Sequence, residues 1–364
     1  MAETQVAVVG GGVIGLSVAW KAALAGHRVT LIDPSPGRGA SWVAGGMLAP
    51  VAEAWPGEEA GLALGEESLR RWPAFAEALA ADGGDPGLST EGTLVVAFDR
   101  ADADQLAVLA GYLASVGRAV DTVTGRRLRS IEPGVSGARS ALLVPGDLAV
   151  DNRRLLRSLQ AAALRRGVRF LDVEATAVEP GLVRTGSGDV PCDVAVLAAG
   201  AYSARLRPGL GVRPLKGEIL RLRVRRGSLG PPRHTVRGFV EGRPIYLVPR
   251  EDGELVLGAT QYEAGFDETV TARGVRELLE GAERIFPGIA EYELVETAAG
   301  LRAGSVDTLP YLGPLADGLL AATGHHRNGL LMAPVTADAI VAWLDGEKPP
   351  AEVEAADPAR DGGH

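Results

Sequence analysis

Residues 6–33 constrain the fold of this chain more than any other stretch. In order they read as an apolar strand, a glycine-rich turn, a helix and a second strand, at residues 6–9, 10–15, 16–25 and 28–32. Asp33 ends the second strand, 18 residues after Gly15. Strand, glycine turn, helix, strand and acid in this order are typical of a dinucleotide-binding βαβ unit. The chain is therefore predicted to begin with a parallel, doubly wound α/β sheet.

Each glycine of that pattern has a physical task, as do the helix start and the acid. Gly10 permits the tight turn, Gly12 lets the main chain approach a pyrophosphate, and Gly15 lets the helix pack close to the strand. The helix N-terminus offers free N–H groups to phosphates, and Asp33 can accept from ribose hydroxyls. The pattern does not separate NAD from FAD, and a cofactor-free α/β domain with a glycine-rich turn is the alternative.

Composition narrows the class of protein. The length of 364 residues allows two domains, and the net charge of −9 argues against nucleic acid or an anionic membrane as the main partner. Cys192 is the single cysteine, which excludes an intrachain disulfide and a multi-cysteine metal site, and no metal is expected. The chain enters a strand almost at once and has no long apolar run, so we expect a cytoplasmic protein without a cleaved signal.

The remaining pattern predicts a nucleotide domain interleaved with a second domain. Helices are expected at residues 66–81, 101–116, 124–131, 151–166, 271–286 and 328–344, and strands at 92–98, 141–144, 194–199, 218–224, 239–249, 254–258, 292–301 and 318–323. The stretch 34–50 is rich in glycine and alanine, which favours contact with a flat ligand over an ordinary loop. Residues 347–364 are polar and predict a flexible tail.

Several segments together resemble the FAD-dependent D-amino acid oxidase family, and within it the glycine oxidases of thiamine biosynthesis. They are the glycine turn and residues 44–50, 197–203, 246–250, 257–260, 300–302 and 324–334. The resemblance covers residues 3 to about 345. It implies a Rossmann-like FAD-binding domain (residues 1–86, 145–212 and 297–346) interleaved with an α+β antiparallel-sheet substrate domain (87–144 and 213–296).

The resemblance also implies non-covalent FAD, because covalent attachment in related enzymes needs a cysteine near the C-terminus and Cys192 lies elsewhere. The residues it assigns to the cofactor are Gly10, Gly12, Val13, Ile14, Gly15, Asp33, Pro34, Ala40, Ser41, Gly45, Gly46, Met47, Val178, Gly200, His325, His326, Arg327, Asn328, Gly329, Leu330 and Leu331. Val178 is expected near the adenine, and residues 325–331 along the flavin.

Amine oxidation by a flavin asks the protein mainly for position and electrostatics. Arg302 is the expected anchor of the substrate carboxylate, since its planar fork binds a carboxylate through two hydrogen bonds. Tyr246 is expected to donate to the same carboxylate, and Arg327 is a second cation near the substrate. Without the family motif these residues would be read as a surface ion-pair arginine, a half-buried strand tyrosine and a helix-start residue. His325 and His326 are not expected to act as bases.

Three positions depart from the family pattern: Gln261, where methionine is expected, and the bulky Trp42 and Val43. The position of Gln261 is expected near the substrate side chain, so the choice among glycine, sarcosine and small D-amino acids stays open.

The sequence therefore predicts an FAD-dependent oxidase of glycine that transfers hydride to the flavin, reduces O2 to H2O2 and supplies the imine for the thiazole of thiamine. The alternatives are a D-amino acid or sarcosine oxidase, a dehydrogenase with another electron acceptor, and a non-catalytic FAD-binding subunit. An NAD-linked dehydrogenase fits only the opening motif. The expected partners are a small amino acid and O2, with thiazole synthase as a candidate, and the resemblance implies a homo-oligomer, a tetramer.

Overall fold

The opening βαβ unit forms as the sequence predicts. The structure is a computed structural model that describes residues 3–118 and 120–361. The unit consists of strand Gln5–Val9, helix Val13–Leu24 and strand Arg28–Ile32. The two strands are parallel, with Val6 opposite Val29.

These strands lie in a six-stranded sheet, here called the nucleotide sheet. Its strands, in spatial order, are Tyr311–Ala316, Leu319–Thr323, Val194–Leu197, Gln5–Val9, Arg28–Ile32 and Arg169–Leu171. All neighbours run parallel except the first pair, whose edge strand Tyr311–Ala316 was not predicted. Three central strands therefore end at the same edge of the sheet, where Gly10 and Gly324 follow their strands directly. Ligands of doubly wound sheets bind at this edge.

Helices cover one face of the nucleotide sheet, and a small three-stranded sheet within residues 175–191 packs against the other. Helix Val13–Leu24 packs against the helices Glu59–Gly83, Asn152–Arg165 and Ala333–Leu344 in one apolar cluster. The last of these starts five residues later than predicted, because Pro334 occupies its first turn, where a missing N–H costs no hydrogen bond. None of the helices in residues 3–118 and 120–361 is long and apolar enough to cross a membrane.

The second sheet, here called the large sheet, has eight strands. In spatial order they are Glu293–Gly304, Arg213–Arg223, Glu254–Gly258, Arg243–Pro249, Thr235–Val240, Thr93–Ala97, Ser140–Val144 and Asp121–Thr124. The stretch 239–249, predicted as one strand, is instead a hairpin that turns at Glu241 and Gly242, both with positive φ. Glycine at such a position signals a tight turn, and the prediction missed that signal.

Each face of the large sheet has a different neighbour. Helix Ala272–Ile285, capped by Thr271, covers one face. It shares an apolar cluster there with Ile245 and Leu257 of the sheet. The other face carries Tyr246 and looks towards the nucleotide sheet. Shorter elements complete the fold: helices Ala40–Val43, Arg100–Ser115, Gly125–Ile131 and Ser203–Leu206, 3-10 turns Gly200–Tyr202, Pro287–Glu291 and His326–Asn328, and two small sheets (Ala175–Glu179, Leu182–Thr185, Val190–Pro191; Met47–Leu48, Leu148–Val150, Leu88–Ser89).

The expected domain boundary at 296/297 falls inside strand Glu293–Gly304 of the large sheet, and the other limits stay a prediction. The expectation of a flexible tail is wrong for residues 351–361, which form two 3-10 turns with Val353 and Ala356 buried. Apolar side chains at these two positions give the segment a surface to bury. The last three residues of the expected tail, 362–364, lie outside the described residues.

Candidate active site

The glycine turn leaves no room for side chains. Gly10 has φ +106°, and a Cβ there would lie 2.3 Å from the carbonyl oxygen of Ala198. A Cβ on Gly15 would lie 1.8 Å from the carbonyl oxygen of Gly10. Gly12 is the N-cap of helix Val13–Leu24 and has no side chain with which to cap it. The turn therefore presents main-chain groups at the end of three strands, which is what a pyrophosphate requires.

Asp33 shapes this turn through its carboxylate. One oxygen accepts from the Gly11 N–H at 2.6 Å and the other from the Ser35 N–H at 2.7 Å. Ser41 reaches the helix start as well, because its Oγ accepts from the Val13 N–H at 3.0 Å. Asp33 and Ser41 of the stretch 34–50, here called the small-residue segment, thus both accept hydrogen bonds from the glycine turn.

A buried arginine that the sequence analysis missed holds the small-residue segment. An Nη of Arg250 donates to the carbonyl oxygen of Gly45 at 2.6 Å, and burial lowers the pKa of Arg250 to about 10. Asn152 donates to the carbonyl oxygens of Ser41 and Trp42, both at 2.9 Å. These side chains lie more than a hundred residues from the segment they hold, so no local pattern could reveal them.

Trp42, one of the departures from the family pattern, does not line the cavity described below. Its ring lies between two guanidinium groups, 4.2 Å from that of Arg38 and 4.3 Å from that of Arg153. Arg153 also forms a two-point ion pair with Glu296 of the large sheet. Cation–π contacts therefore explain how the bulky ring is accommodated in a segment of small residues.

Tyr246 and Arg237 lie side by side on one face of the large sheet. Tyr246 pairs with Arg237 on one neighbouring strand and with Gly258 on the other. Directly opposite residues of antiparallel strands project to the same face. A Cβ on Gly258 would lie 2.2 Å from the tyrosine ring, so the ring lies flat on a strand that has no side chain there.

Arg302 lies on the same face, two residues after Gly300. Gly300 pairs with Gly217, and a Cβ on Gly217 would lie 2.4 Å from an Nη of Arg302. We call Gly217, Gly258 and Gly300 the glycine floor. The guanidinium of Arg302 donates to the carbonyl oxygen of Thr260 at 3.2 Å. No carboxylate of residues 3–118 and 120–361 lies in ion-pair contact with it.

Arg302 and Tyr246 influence each other's charge. Burial lowers the pKa of Arg302, and the neighbouring Tyr246 and Glu53 oppose that shift. Burial raises the pKa of the Tyr246 hydroxyl, which the charge of Arg302 opposes. At neutral pH the site therefore offers a guanidinium cation and a neutral phenol, and both can donate to a carboxylate.

The turn that follows strand Leu319–Thr323 brings the C-terminal motif to the same place. Burial lowers the pKa of His325 to about 3, and its Nε2 lies 3.0 Å from Thr336 Oγ1. His326 has φ +50°, and burial together with the charges of Arg327 and Arg302 lowers its pKa to about 4. The carbonyl oxygen of Leu331 accepts from Trp72 and Ser68. Such low pKa values make both imidazoles weak bases, and the expectation that neither acts as a base stays a prediction.

Arg327 is held by two acidic residues that the sequence analysis did not single out. Its guanidinium lies 3.5 Å from Glu53 and 3.3 Å from Glu58. Glu53 also lies 3.1 Å from Arg237. Near this cluster, burial raises the pKa of the Asp147 carboxyl to about 7. The second cation predicted for the substrate is therefore neutralised, in contrast to Arg302.

These groups surround a cavity of about 470 Å³ between the two sheets. The predicted site residues that line it are Val13, Ala40, Ser41, Gly45, Gly46, Met47, Tyr246, Arg302, His326, Arg327, Gly329 and Leu330. Val43 and Gln261 line it as well. The predicted residues outside its lining are Gly10, Gly12, Ile14, Gly15, Asp33, Pro34, Val178, Gly200, His325, Asn328 and Leu331. The side chain of Val178 is 1% exposed and packs in the core, which leaves only its main chain for a cofactor.

The cavity wall suits a flavin dinucleotide. Val13, at the start of the first helix, lines the cavity together with the small residues Ala40, Ser41, Gly45 and Gly46, and Gly217 and Gly300 of the glycine floor line it as well. The buried Nδ1 of His326 has no hydrogen-bond partner in the described part of the chain. An unpartnered polar atom in a cavity wall is expected where a ligand completes the hydrogen bonding.

Comparisons with known proteins agree with this reading. Residues 5–343 match the family described as FAD dependent oxidoreductase. The chain is 34% identical to the glycine oxidase of Pseudomonas aeruginosa over 95% of this chain and 96% of the relative. It is also 34% identical to a bifunctional ThiO/ThiG protein of Nostoc, over 93% of this chain and 52% of that longer protein.

Solved structures show the same architecture. The crystal structure of glycine oxidase from Geobacillus kaustophilus superposes with a TM-score of 0.91 at 30% identity, covering 99% of each chain. That of iminodiacetate oxidase from Chelativorans gives a TM-score of 0.87 at 27% identity, covering 97% of this chain and 99% of the other. The predicted Rossmann-like fold and the predicted FAD are thereby confirmed. This chain belongs to the FAD dependent oxidoreductase family and is an FAD-dependent amino-acid oxidoreductase.

Proposed function

We propose that this enzyme oxidises glycine, and with it sarcosine and small D-amino acids, to the corresponding imine. The single observation that carries the proposal is Arg302, a guanidinium on the cavity wall with no carboxylate partner among the described residues and with Tyr246 on the same sheet face. A two-point hydrogen bond to one carboxylate is what such a fork is built for. The relatives named glycine oxidase support glycine as the substrate.

In this proposal the protein binds and orients the substrate. Arg302 and Tyr246 hold the carboxylate, and the glycine floor beneath them lets both side chains lie flat. FAD, when bound, would supply the acceptor for the hydride of the substrate α-carbon, with O2 as the final acceptor that is reduced to H2O2. The neutral amine supplies the electron pair that forms the C=N bond, so no side chain has to remove a carbon-bound proton. The imine hydrolyses to glyoxylate and ammonia or leaves for thiazole assembly.

The residues proposed for FAD are those assigned by the sequence. Gly10, Gly12 and the helix start would hold the pyrophosphate, and Asp33 the ribose. The segment 40–47 and the turn 325–331 would lie along the flavin, where the unpartnered Nδ1 of His326 is available. Arg250 would fix the segment through its bond to Gly45.

Thiazole synthase is the proposed partner of this enzyme in thiamine synthesis. Its support is the bifunctional ThiO/ThiG relatives, in which a region similar to this chain occupies about half of a longer protein. Homo-oligomer formation, expected as a tetramer, stays a prediction that size-exclusion chromatography with light scattering would measure.

Substrate-dependent release of H2O2 tests the proposal. We expect a yellow protein whose flavin is bleached by glycine without air, and which consumes O2 when air is present. The panel is glycine, sarcosine, D-alanine and D-proline, measured with an oxygen electrode and a peroxide assay. Flavin reduction without O2 uptake would instead identify a dehydrogenase that uses another acceptor. Failure of all four substrates to reduce the flavin would refute the proposal.

A further inference from the structure

We propose that Glu53 is a specificity-determining residue that keeps a second anionic group out of the active-site cavity. The inference rests on the proposed oxidation of small amino acids and deepens it, because it separates substrates with one carboxylate from those with two. Glu53 lines the cavity within the segment that follows the flavin-facing residues 45–47.

Glu53 bridges two cations of the cavity wall. One of its carboxylate oxygens lies 3.1 Å from an Nη of Arg237, and the other lies 3.5 Å from the Nε of Arg327. The side chains of Glu53 and Arg237 are only 16% and 17% exposed, so water screens this pair weakly. The single carboxylate therefore occupies the position that an anionic group of a ligand would take between the two guanidiniums.

Arg237 is fixed where it stands. It pairs with Tyr246 across neighbouring strands, and its Nη1 also donates to the carbonyl oxygen of Ala52 at 3.0 Å. Arg327 comes from the turn His326–Asn328 and is paired with Glu58 as well. Glu53 thus links the sheet face that carries the substrate anchor to the turn that carries the C-terminal motif.

Arg302 differs from the other arginines of the cavity wall in its ion pairing. Three arginines line the cavity: Arg237, Arg302 and Arg327. Only Arg302 lacks a carboxylate partner among the described residues, so the cavity wall offers one place for a carboxylate. A second carboxylate would meet the negative charge of Glu53, and like charges brought together disfavour binding.

Removing the charge of Glu53 should turn a position that repels a second carboxylate into one that binds it. In Glu53→Gln the wall gains an uncompensated positive charge at Arg237, while Glu58 still pairs with Arg327. Sarcosine and iminodiacetate measure this change, because both are N-substituted glycines that differ by one carboxylate. We expect the ratio of kcat/KM for iminodiacetate to that for sarcosine to rise by at least about tenfold in the variant.

Non-reacting ligands give a second measurement that does not depend on turnover. Methoxyacetate and diglycolate are the ether analogues of the same two amines, and flavin absorbance of the holoenzyme reports their binding. Wild-type enzyme should favour methoxyacetate, and Glu53→Gln should shift the ratio of the two dissociation constants towards diglycolate by about tenfold. The flavin-to-protein ratio checks that the variant retains its cofactor.

Glu91→Gln is the matched control, because it also removes one carboxylate from an ion pair with an arginine, Arg233, but lies outside the cavity lining. Its ratios should stay within about twofold of wild type. Unchanged ratios in Glu53→Gln, or an equal shift in Glu91→Gln, would overturn the proposal that Glu53 excludes a second anionic group. If glycine and sarcosine fail to reduce the flavin, the proposed reaction fails, and the two ether ligands still decide whether Glu53 selects against a second anion.

Discussion

The glycine turn and the glycine floor use the same residue type against different neighbours. In the turn, an added Cβ on Gly10 or Gly15 would meet main-chain atoms at 2.3 Å and 1.8 Å. In the floor, a Cβ on Gly217 or Gly258 would meet the guanidinium of Arg302 or the ring of Tyr246. Main chain in a packed sheet has nowhere to move, whereas the tip of a side chain has.

This difference separates residues that build the fold from residues that set the substrate site. Glycine in the turn lets a helix and three strands meet, so the nucleotide sheet and the cofactor end depend on it together. Glycine in the floor lets two functional side chains lie flat, so the substrate anchor depends on it while the sheet around it does not. Substitutions in the two regions should therefore fail in different assays.

The largest effect is expected for Gly15→Ala. The new methyl group would overlap the carbonyl oxygen of Gly10, so the helix must move away from the strand. We expect the free energy of unfolding to fall by about 3 kcal/mol and FAD content to drop to a trace. Thermal unfolding and the ratio of flavin to protein absorbance measure both.

Gly111→Ala is the matched control for that substitution. Gly111 lies inside helix Arg100–Ser115, and nothing lies within 4 Å of a Cβ built there. Alanine is expected to stabilise this helix by about 0.5–1 kcal/mol and to leave FAD content unchanged. A Gly15→Ala protein that binds FAD as tightly as the control would show that the turn tolerates a side chain. It would then contradict the proposal that close main-chain packing in the turn is needed to bind FAD.

The next largest effect is expected for Arg302→Lys. Lysine keeps the charge but loses the planar fork, so the carboxylate is held by one point rather than two. We expect kcat/KM for glycine to fall by roughly 100-fold, with FAD content unchanged. Arg243→Lys, at an exposed ion pair on the strand of Tyr246, should leave both quantities within about twofold. A normal KM for glycine in Arg302→Lys would place the anchor elsewhere.

The same difference explains what the sequence could and could not predict. The glycine turn is contiguous, and each of its parts, from the first strand to Asp33, has a local pattern that predicted the observed βαβ unit. The glycine floor is gathered from three strands. The resemblance singled out the segments that contain Gly258 and Gly300, but no local pattern put them beside Gly217. Only register across the large sheet brings Gly217 under Arg302 and Gly258 under Tyr246, and pairs Gly300 with Gly217.

Charge pairing was equally invisible in the sequence. Glu53 is one acidic residue among many, and its two partners, Arg237 and Arg327, lie 184 and 274 positions away. Family resemblance placed Arg327 in the site, but it could not show that two carboxylates neutralise it. The sequence thus proposed Arg302 and Arg327 as cations of the site, missed Arg237, and left open which of them is available to a substrate.

The smallest of these effects, and the sharpest test of the comparison, is expected for Gly217→Ala. The new Cβ would lie 2.4–2.5 Å from three atoms of the Arg302 guanidinium, which must shift. That group is the end of a long flexible side chain, so the free energy of unfolding should change by less than about 1 kcal/mol, but the anchor would leave its position. We expect KM for glycine to rise about tenfold, with unchanged FAD content, because displaced donors no longer match the carboxylate. Loss of FAD together with a large loss of stability would instead mean that the floor, like the turn, is a requirement of the fold, and the distinction between the two regions would fail.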